Sequence, residues 1–196
     1  MTAVARPAAG RYAATVLWLL AGLVAASLAR AALNGHSAAS AFAAGAAFGA
    51  ALVTMGAAAG WRFARPTAAS LLAGVLGGAV LIALPRLADP LMPAIIGMRP
   101  EPFAGWLLVT TVVVTGEEVL LRGALFGALE RSAGPVAAVA VTSLAFALMH
   151  VPLYGWQVVP LDLGVGVWLG GLRLATGGVA APAMAHWLAD LSTWWV

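Results

Sequence analysis

The residues of this chain that can move protons are few and regularly spaced. Glu117 and Glu118 are adjacent, and Arg122 follows Glu118 by four. Phe146 precedes His150 by four, and His186 precedes Asp190 by four. On a helix, residues four apart share a face. Each pair therefore presents its two side chains together if the local structure is helical. A carboxylate beside imidazoles can take a proton from water and pass it on, which is general acid–base catalysis. The activated water would attack a carbonyl, and a hydrogen-bond donor would stabilise the oxyanion formed. Two histidines and a carboxylate are also a common zinc ligand set, here Glu117, His150 and His186. Spacing alone does not separate the two chemistries.

The two glutamates differ. Glu118 with Arg122 is in the favourable order for an ion pair on one helix face, and its first role is to fix packing. Glu117 has only Leu120 and Leu121 at three and four residues on. It needs a partner from another helix, and the histidines are the candidates. Several hydrolase patterns are absent: His-Glu-x-x-His, Gly-x-Ser-x-Gly and Gly-x-Gly-Asp. Without cysteine there is no thiolate metal site or disulfide.

The elements that must position these residues follow from composition. Of 196 residues, 63% are hydrophobic and 9% charged, with a net charge of +3. A soluble domain carries about 25% charged residues, so a soluble surface cannot be covered. Disorder requires the opposite composition. The basic residues are all arginine and scattered singly, which speaks against nucleic-acid binding despite a sequence pI near 10.6. An all-α, polytopic transmembrane bundle remains. Its spans are read at 12–29, 37–61, 66–85, 103–129, 134–150, 156–174 and 179–196, about seven helices (six to eight), each near the length of about 20 residues that a bilayer needs. The first apolar run is longer than the roughly 7–15 residues of a signal-peptide core and is read as a retained helix. The stretch 86–101, with Pro90, Pro93 and Pro100, reads as a loop. Gly166 and Gly170 form a small-xxx-small pair for close helix packing.

With the N-terminus cytoplasmic, the inner loops hold Arg6, Arg11, Arg62, Arg65, Arg131 and Arg173, and the outer ones Arg30, Arg86 and Arg99. That is the positive-inside pattern. Asp162 and Arg173 are expected at the interface, solvated or paired, although Asp162 interrupts an apolar stretch and can border the site. Ionisable residues within a span cost about 2.5–3.5 kcal/mol each near the bilayer centre. Those of the fourth, fifth and seventh spans are therefore expected to converge on one polar cavity. For Glu117, His150 and His186 to meet, the helices must tilt or their boundaries shift by a turn.

Together these motifs match a family. Glu117-Glu118-Val119-Leu120-Leu121-Arg122 reads Glu-Glu-x-x-x-Arg, Phe146 to His150 reads Phe-x-x-x-His, and His186 to Asp190 reads His-x-x-x-Asn/Asp. In this order, on successive segments, they resemble the CPBP family of intramembrane proteases. That family includes the prenyl-protein (CAAX) endopeptidases and the bacterial Abi, or bacteriocin-immunity, proteins. The run 172–178 is similar to the family's lead-in to the last motif, and the resemblance covers about 103–195. It implies a membrane-embedded glutamic endopeptidase with a membrane protein or peptide as substrate. Glu117 would be the base, assisted by His150; His186 and Asp190 would stabilise the oxyanion or orient the site; Glu118 and Arg122 would support Glu117. No cofactor is expected, with zinc the alternative. One departure matters: the last position is often Asn, whose amide can donate to an oxyanion, whereas ionised Asp190 cannot. Either Asp190 is protonated, or it orients His186.

The resemblance divides the chain into N-terminal helices of unassigned role (1–101) and a catalytic core (102–196) within one membrane domain. A non-catalytic immunity or scaffold protein of the same fold is the alternative. A transporter would show inverted repeats, and here the polar residues are confined to the second half. The Ala- and Arg-rich, Lys-free composition points to a bacterial inner membrane, in whose lipid bilayer the chain would sit.

Overall fold

The computed structural model describes residues 8–35, 37–88 and 103–195. Among these there is no strand. The elements are α1 (Ala8–Leu33), α2 (Ala38–Ala58), α3 (Ala68–Ala88), α4 (Phe103–Glu118), a π-helical segment (Val119–Leu125), α5 (Phe126–Tyr154), α6 (Val159–Thr176) and α7 (Ala180–Ser192). The proline-bearing stretch read as a loop falls mostly in 89–102, outside the described residues, as do Arg6 and Arg99.

The run from Phe103 to Tyr154 is 52 residues, about 78 Å at 1.5 Å per residue. That is far more than the roughly 30 Å of hydrocarbon. It is divided at Gly134, where φ is 87° and ψ is 171°. Pro135 follows; proline has no N–H to donate and excludes the helical region for the residue before it. Glycine tolerates the positive φ that results. Counted as continuous runs the bundle has six helices, and the break at Gly134, where the fifth span is expected to begin, supplies the seventh. Several boundaries move, among them the end of α1, which runs to Leu33. Helix α5 runs a turn further than expected, to Tyr154, and α7 is 13 residues long. His150 therefore lies inside its helix, which brings it to the depth of Glu117.

Ser37 caps α2 by accepting a hydrogen bond from the Ser40 amide at 3.1 Å. Thr67 does the same for the Ser70 amide ahead of α3. Such caps satisfy orphan amides that lipid cannot. Outward-facing Leu17, Val24, Leu72, Leu76, Leu108, Leu144 and Val167 are exposed. Four of the helical runs are long and apolar enough to cross a membrane, and Ala68–Leu84 is a shorter apolar helix. The chain is an integral membrane protein built as a helical bundle.

Helix α3 packs chiefly on α7, α5 on α6, α2 on α4, and α1 against both α2 and α5. Small residues set these approaches, since apolar contact alone gives membrane helices little reason to associate. At the α2–α4 crossing, a Cβ on Gly116 would stand 2.5 Å from the Gly49 carbonyl oxygen, and one on Gly49 would stand 2.5 Å from that of Val112. The backbones therefore touch next to Glu117. The pair Gly166 and Gly170 does pack as expected: added Cβ atoms would lie 2.8 Å from Ser143 Cα and 3.2 Å from Val139 Cγ1. Leu19, Leu23, Phe48, Leu52, Leu121 and Phe126 fill the core between α1, α2 and the α4–α5 rod.

Gly116→Ala forces the α2–α4 backbones apart and is expected to cost about 1–3 kcal/mol, as overpacking does. Gly171→Ala meets nothing within 4 Å and is expected to change stability little. Thermal unfolding in detergent, side by side, checks the difference.

Candidate active site

The three motif pairs meet at one place. Glu118 and Arg122 are both fully buried, with Arg122 Nη1 2.9 Å from Glu118 Oε1. The same Glu118 oxygen lies 3.0 Å from His186 Nδ1, so Nδ1 is the donor facing it. Arg122 also donates from Nη2 to the Gly166 carbonyl at 3.3 Å. Its guanidinium carbon sits 4.8 Å from the centre of the Phe146 ring. Phe146 in turn meets both imidazoles edge-on, at 4.9 Å from His150 and 5.3 Å from His186. One phenyl ring thus sets the spacing of two histidines and an arginine.

This positioning depends on the π-helical turn that follows Glu118. A π segment widens the helix by one residue per turn and is frequent at functional sites. Two contacts hold it. Gly123 takes the Trp61 indole so closely that a Cβ there would lie 2.5 Å from Trp61 Cδ1. Arg173 Nε donates to the Arg122 carbonyl at 2.9 Å. Nothing in hydropathy or spacing announces this turn.

Glu117 is buried as well, but no group grips it. Its Oε1 lies 3.9 Å from His150 Nε2 and 3.7 Å from Arg30 Nη1, and its Oε2 lies 3.8 Å from His186 Nε2. Among the described residues Oε1 accepts no hydrogen bond, and the second oxygen of Glu118 and Nε of Arg122 are likewise unpaired. Separations of 3.7–3.9 Å are those that a bridging water closes. Asp190 Oδ2 stands 3.7 Å from His186 Nε2, with its side chain 44% exposed. His186 therefore lies between Glu118 on one side and Glu117 and Asp190 on the other.

Two groups join the site that were read as loop or interface residues. Arg30, expected in an outer loop, is in the last turn of α1 and turns inward. Asp162, in the first turn of α6, brings Oδ2 to 3.0 Å from His150 Nδ1. That is ion-pair distance, although the alignment is too poor for a hydrogen bond. The interruption of an apolar stretch was the available signal for Asp162. Arg30 had none, because its partner is distant in sequence. Among the described residues no group of three or more His, Asp or Glu side chains is arranged to hold a metal ion.

The bundle has two recesses. An apolar one of 350 Å³ lies between α1 and α5, bounded by Leu23, Ser27 and Met149. A larger one of 860 Å³ reaches Glu118 from the far side, and Arg62, Arg65, Arg131 and Arg173 line it. Arg131 also stacks over Tyr12 near the start of α1. Arg62, Arg65, Arg131 and Arg173, all assigned to inner loops, therefore share one end of the bundle with the start of α1.

Residues 99–192 match the family model of the type II CAAX prenyl endopeptidases, Rce1-like. No curated protein matches the chain, and no solved structure does. The matched segment contains Glu117, Glu118, Arg122, His150, His186 and Asp190; Arg30 lies outside it.

Removing one partner of a buried ion pair strands the other, at a cost of about 3–5 kcal/mol. Arg122→Leu is expected to destabilise by that amount. The double variant Glu118→Gln/Arg122→Met, which removes both charges, is expected to lose less than Arg122→Leu alone. Chemical denaturation in detergent reads both; an Arg122→Leu protein as stable as wild type would contradict the pairing.

Proposed function

From the match of residues 99–192 to the type II CAAX prenyl endopeptidase Rce1-like family model, we propose an intramembrane endopeptidase in which Glu117 and His150 activate water. The family points to a protease acting on a membrane-associated protein. The finer reading rests on one observation: buried Glu117 faces an imidazole with each oxygen, Oε1 at 3.9 Å from His150 Nε2 and without a hydrogen-bond partner, Oε2 at 3.8 Å from His186 Nε2.

The reaction runs as follows. Water sits between Glu117 and His150. Glu117 takes its proton as the water oxygen bonds to the scissile carbonyl carbon, and the carbonyl π pair moves onto oxygen. The resulting oxyanion is held by hydrogen-bond donors. It collapses, the C–N bond breaks, and the proton on Glu117 goes to the leaving nitrogen. Asp162 orients His150 through Nδ1. Glu118, held by Arg122, orients His186, whose Nε2 faces Glu117. Helices α1 and α2 belong to the working unit, because α2 fixes the backbone beside Glu117 and α1 brings Arg30.

The substrate is a peptide bond near the end of a membrane-anchored chain, prenylated or not. The apolar recess between α1 and α5 suits an aliphatic chain arriving from the bilayer. The arginine-rich end around Arg62, Arg65, Arg131 and Arg173 supports an N-terminus facing the cytoplasm of a bacterium.

The test is cleavage of a panel of prenylated and unprenylated membrane-tail peptides by the purified protein. Wild type is compared with Glu117→Ala and His150→Ala, each with and without chelator. Each substitution is expected to lower kcat by about 10²–10⁴-fold, the range of a positioned acid or base, with wild type indifferent to chelator. Activity lost to chelator and restored by zinc would turn Glu117, His150 and His186 into metal ligands instead. Cleavage unchanged in both variants would contradict the site, and an inactive wild type would favour the scaffold alternative.

A further inference from the structure

Within the endopeptidase reading just given, we infer that Arg30 is a catalytic residue, the donor that receives the oxyanion. The site is short of oxyanion donors. The family-like motif ends in Asp190 where an Asn is frequent, and a carboxylate has no proton to donate when ionised. Asp190 also faces His186 Nε2 at 3.7 Å, so it acts on the imidazole. Glu118 is occupied by Arg122 and His186. Arg122 is fully buried behind Glu118 and is bonded to Glu118 and the Gly166 carbonyl. His186 donates from Nδ1 to Glu118, and its Nε2 is turned to the carboxylates of Glu117 and Asp190 at 3.8 and 3.7 Å, so none of these groups offers a free donor at the place where a carbonyl would be attacked.

Arg30 does. Its Nη1 is 3.7 Å from Glu117 Oε1, the same oxygen that His150 Nε2 approaches at 3.9 Å. Base, imidazole and guanidinium therefore surround one point. The Arg30 side chain is 17% exposed, enough for a peptide to reach it. Its guanidinium carbon lies 4.8 Å from the centre of the Phe48 ring, so α2 holds its plane. A guanidinium carries five N–H donors in a fixed fork. Its position in the last turn of α1 suits the negative end of that helix. Among the described residues it makes no direct hydrogen bond to a protein group. As the carbonyl π pair moves onto oxygen, an Arg30 N–H donates to the developing charge; no proton leaves the guanidinium. The donor comes from α1, outside residues 99–192, so the N-terminal half contributes to the chemistry.

The test uses the full-length protein in detergent and a peptide that wild type cleaves. Arg30→Met, which keeps the length but has no N–H to donate, is expected to lower kcat by about 10²–10³-fold, the loss seen when one oxyanion donor is removed, with KM within about threefold because ground-state binding is untouched. A phosphinate analogue of the same peptide, which mimics the tetrahedral oxyanion, should bind more weakly by a similar factor. Arg30→Lys keeps charge and one donor direction, so it should recover part of the rate, and its unfolding temperature reports whether the helix end is intact. A kcat within threefold of wild type in Arg30→Met would overturn the inference. So would a large rate loss with unchanged phosphinate affinity, which would make Arg30 a partner of Glu117 alone. A wild type that cleaves no peptide would instead overturn the endopeptidase reading beneath it.

Discussion

Charge buried in an apolar bundle must be compensated from within, and here one oxygen atom does much of that. Glu118 Oε1 receives Arg122 Nη1 at 2.9 Å and His186 Nδ1 at 3.0 Å. Through it α4, the π-helical turn and α7 are tied together, and through Gly166 and Phe146 the same arginine reaches α6 and α5. Such a cluster adds little net stability compared with a well-packed apolar core, yet breaking it is costly. Its consequence is positional: with Glu118 taken, Glu117 is left as the carboxylate facing the imidazoles without a direct hydrogen bond.

The division of labour between the two glutamates follows from helix geometry. Adjacent residues on a helix point about 100° apart. When Glu118 turns towards Arg122 and His186, Glu117 must turn towards α1 and the end of α5. The close α2–α4 approach at Gly49 and Gly116 fixes the backbone one residue before Glu117. The widened turn begins one residue after Glu118. Both glutamates are therefore clamped from either side, which favours a preorganised site over one assembled by motion.

Much of this was legible in the sequence. Apolar runs between arginines gave the helices, because a bilayer fixes span length. The four-residue pairs gave the motif faces, because helical periodicity is local. The close packing of Gly166 and Gly170 and the break at Gly134 were readable for the same reason. What escaped were contacts between helices distant in sequence. Arg30 reads as a loop charge until α1 is seen to end beside Glu117. Asp162 reads as an interface residue until α6 is seen to start beside His150. The π-helical turn escaped because it is held by Trp61 and Arg173, which act from other elements.

In the reaction proposed, Glu117 acts on water as a base rather than attacking the peptide itself. A single turnover in H₂¹⁸O, followed by mass spectrometry of both the product and the Glu117-containing peptide, tests it directly. One labelled oxygen is expected in the new product carboxylate and none in Glu117. Label in the Glu117 carboxylate would mean that an anhydride formed and was hydrolysed, and would contradict the role assigned here.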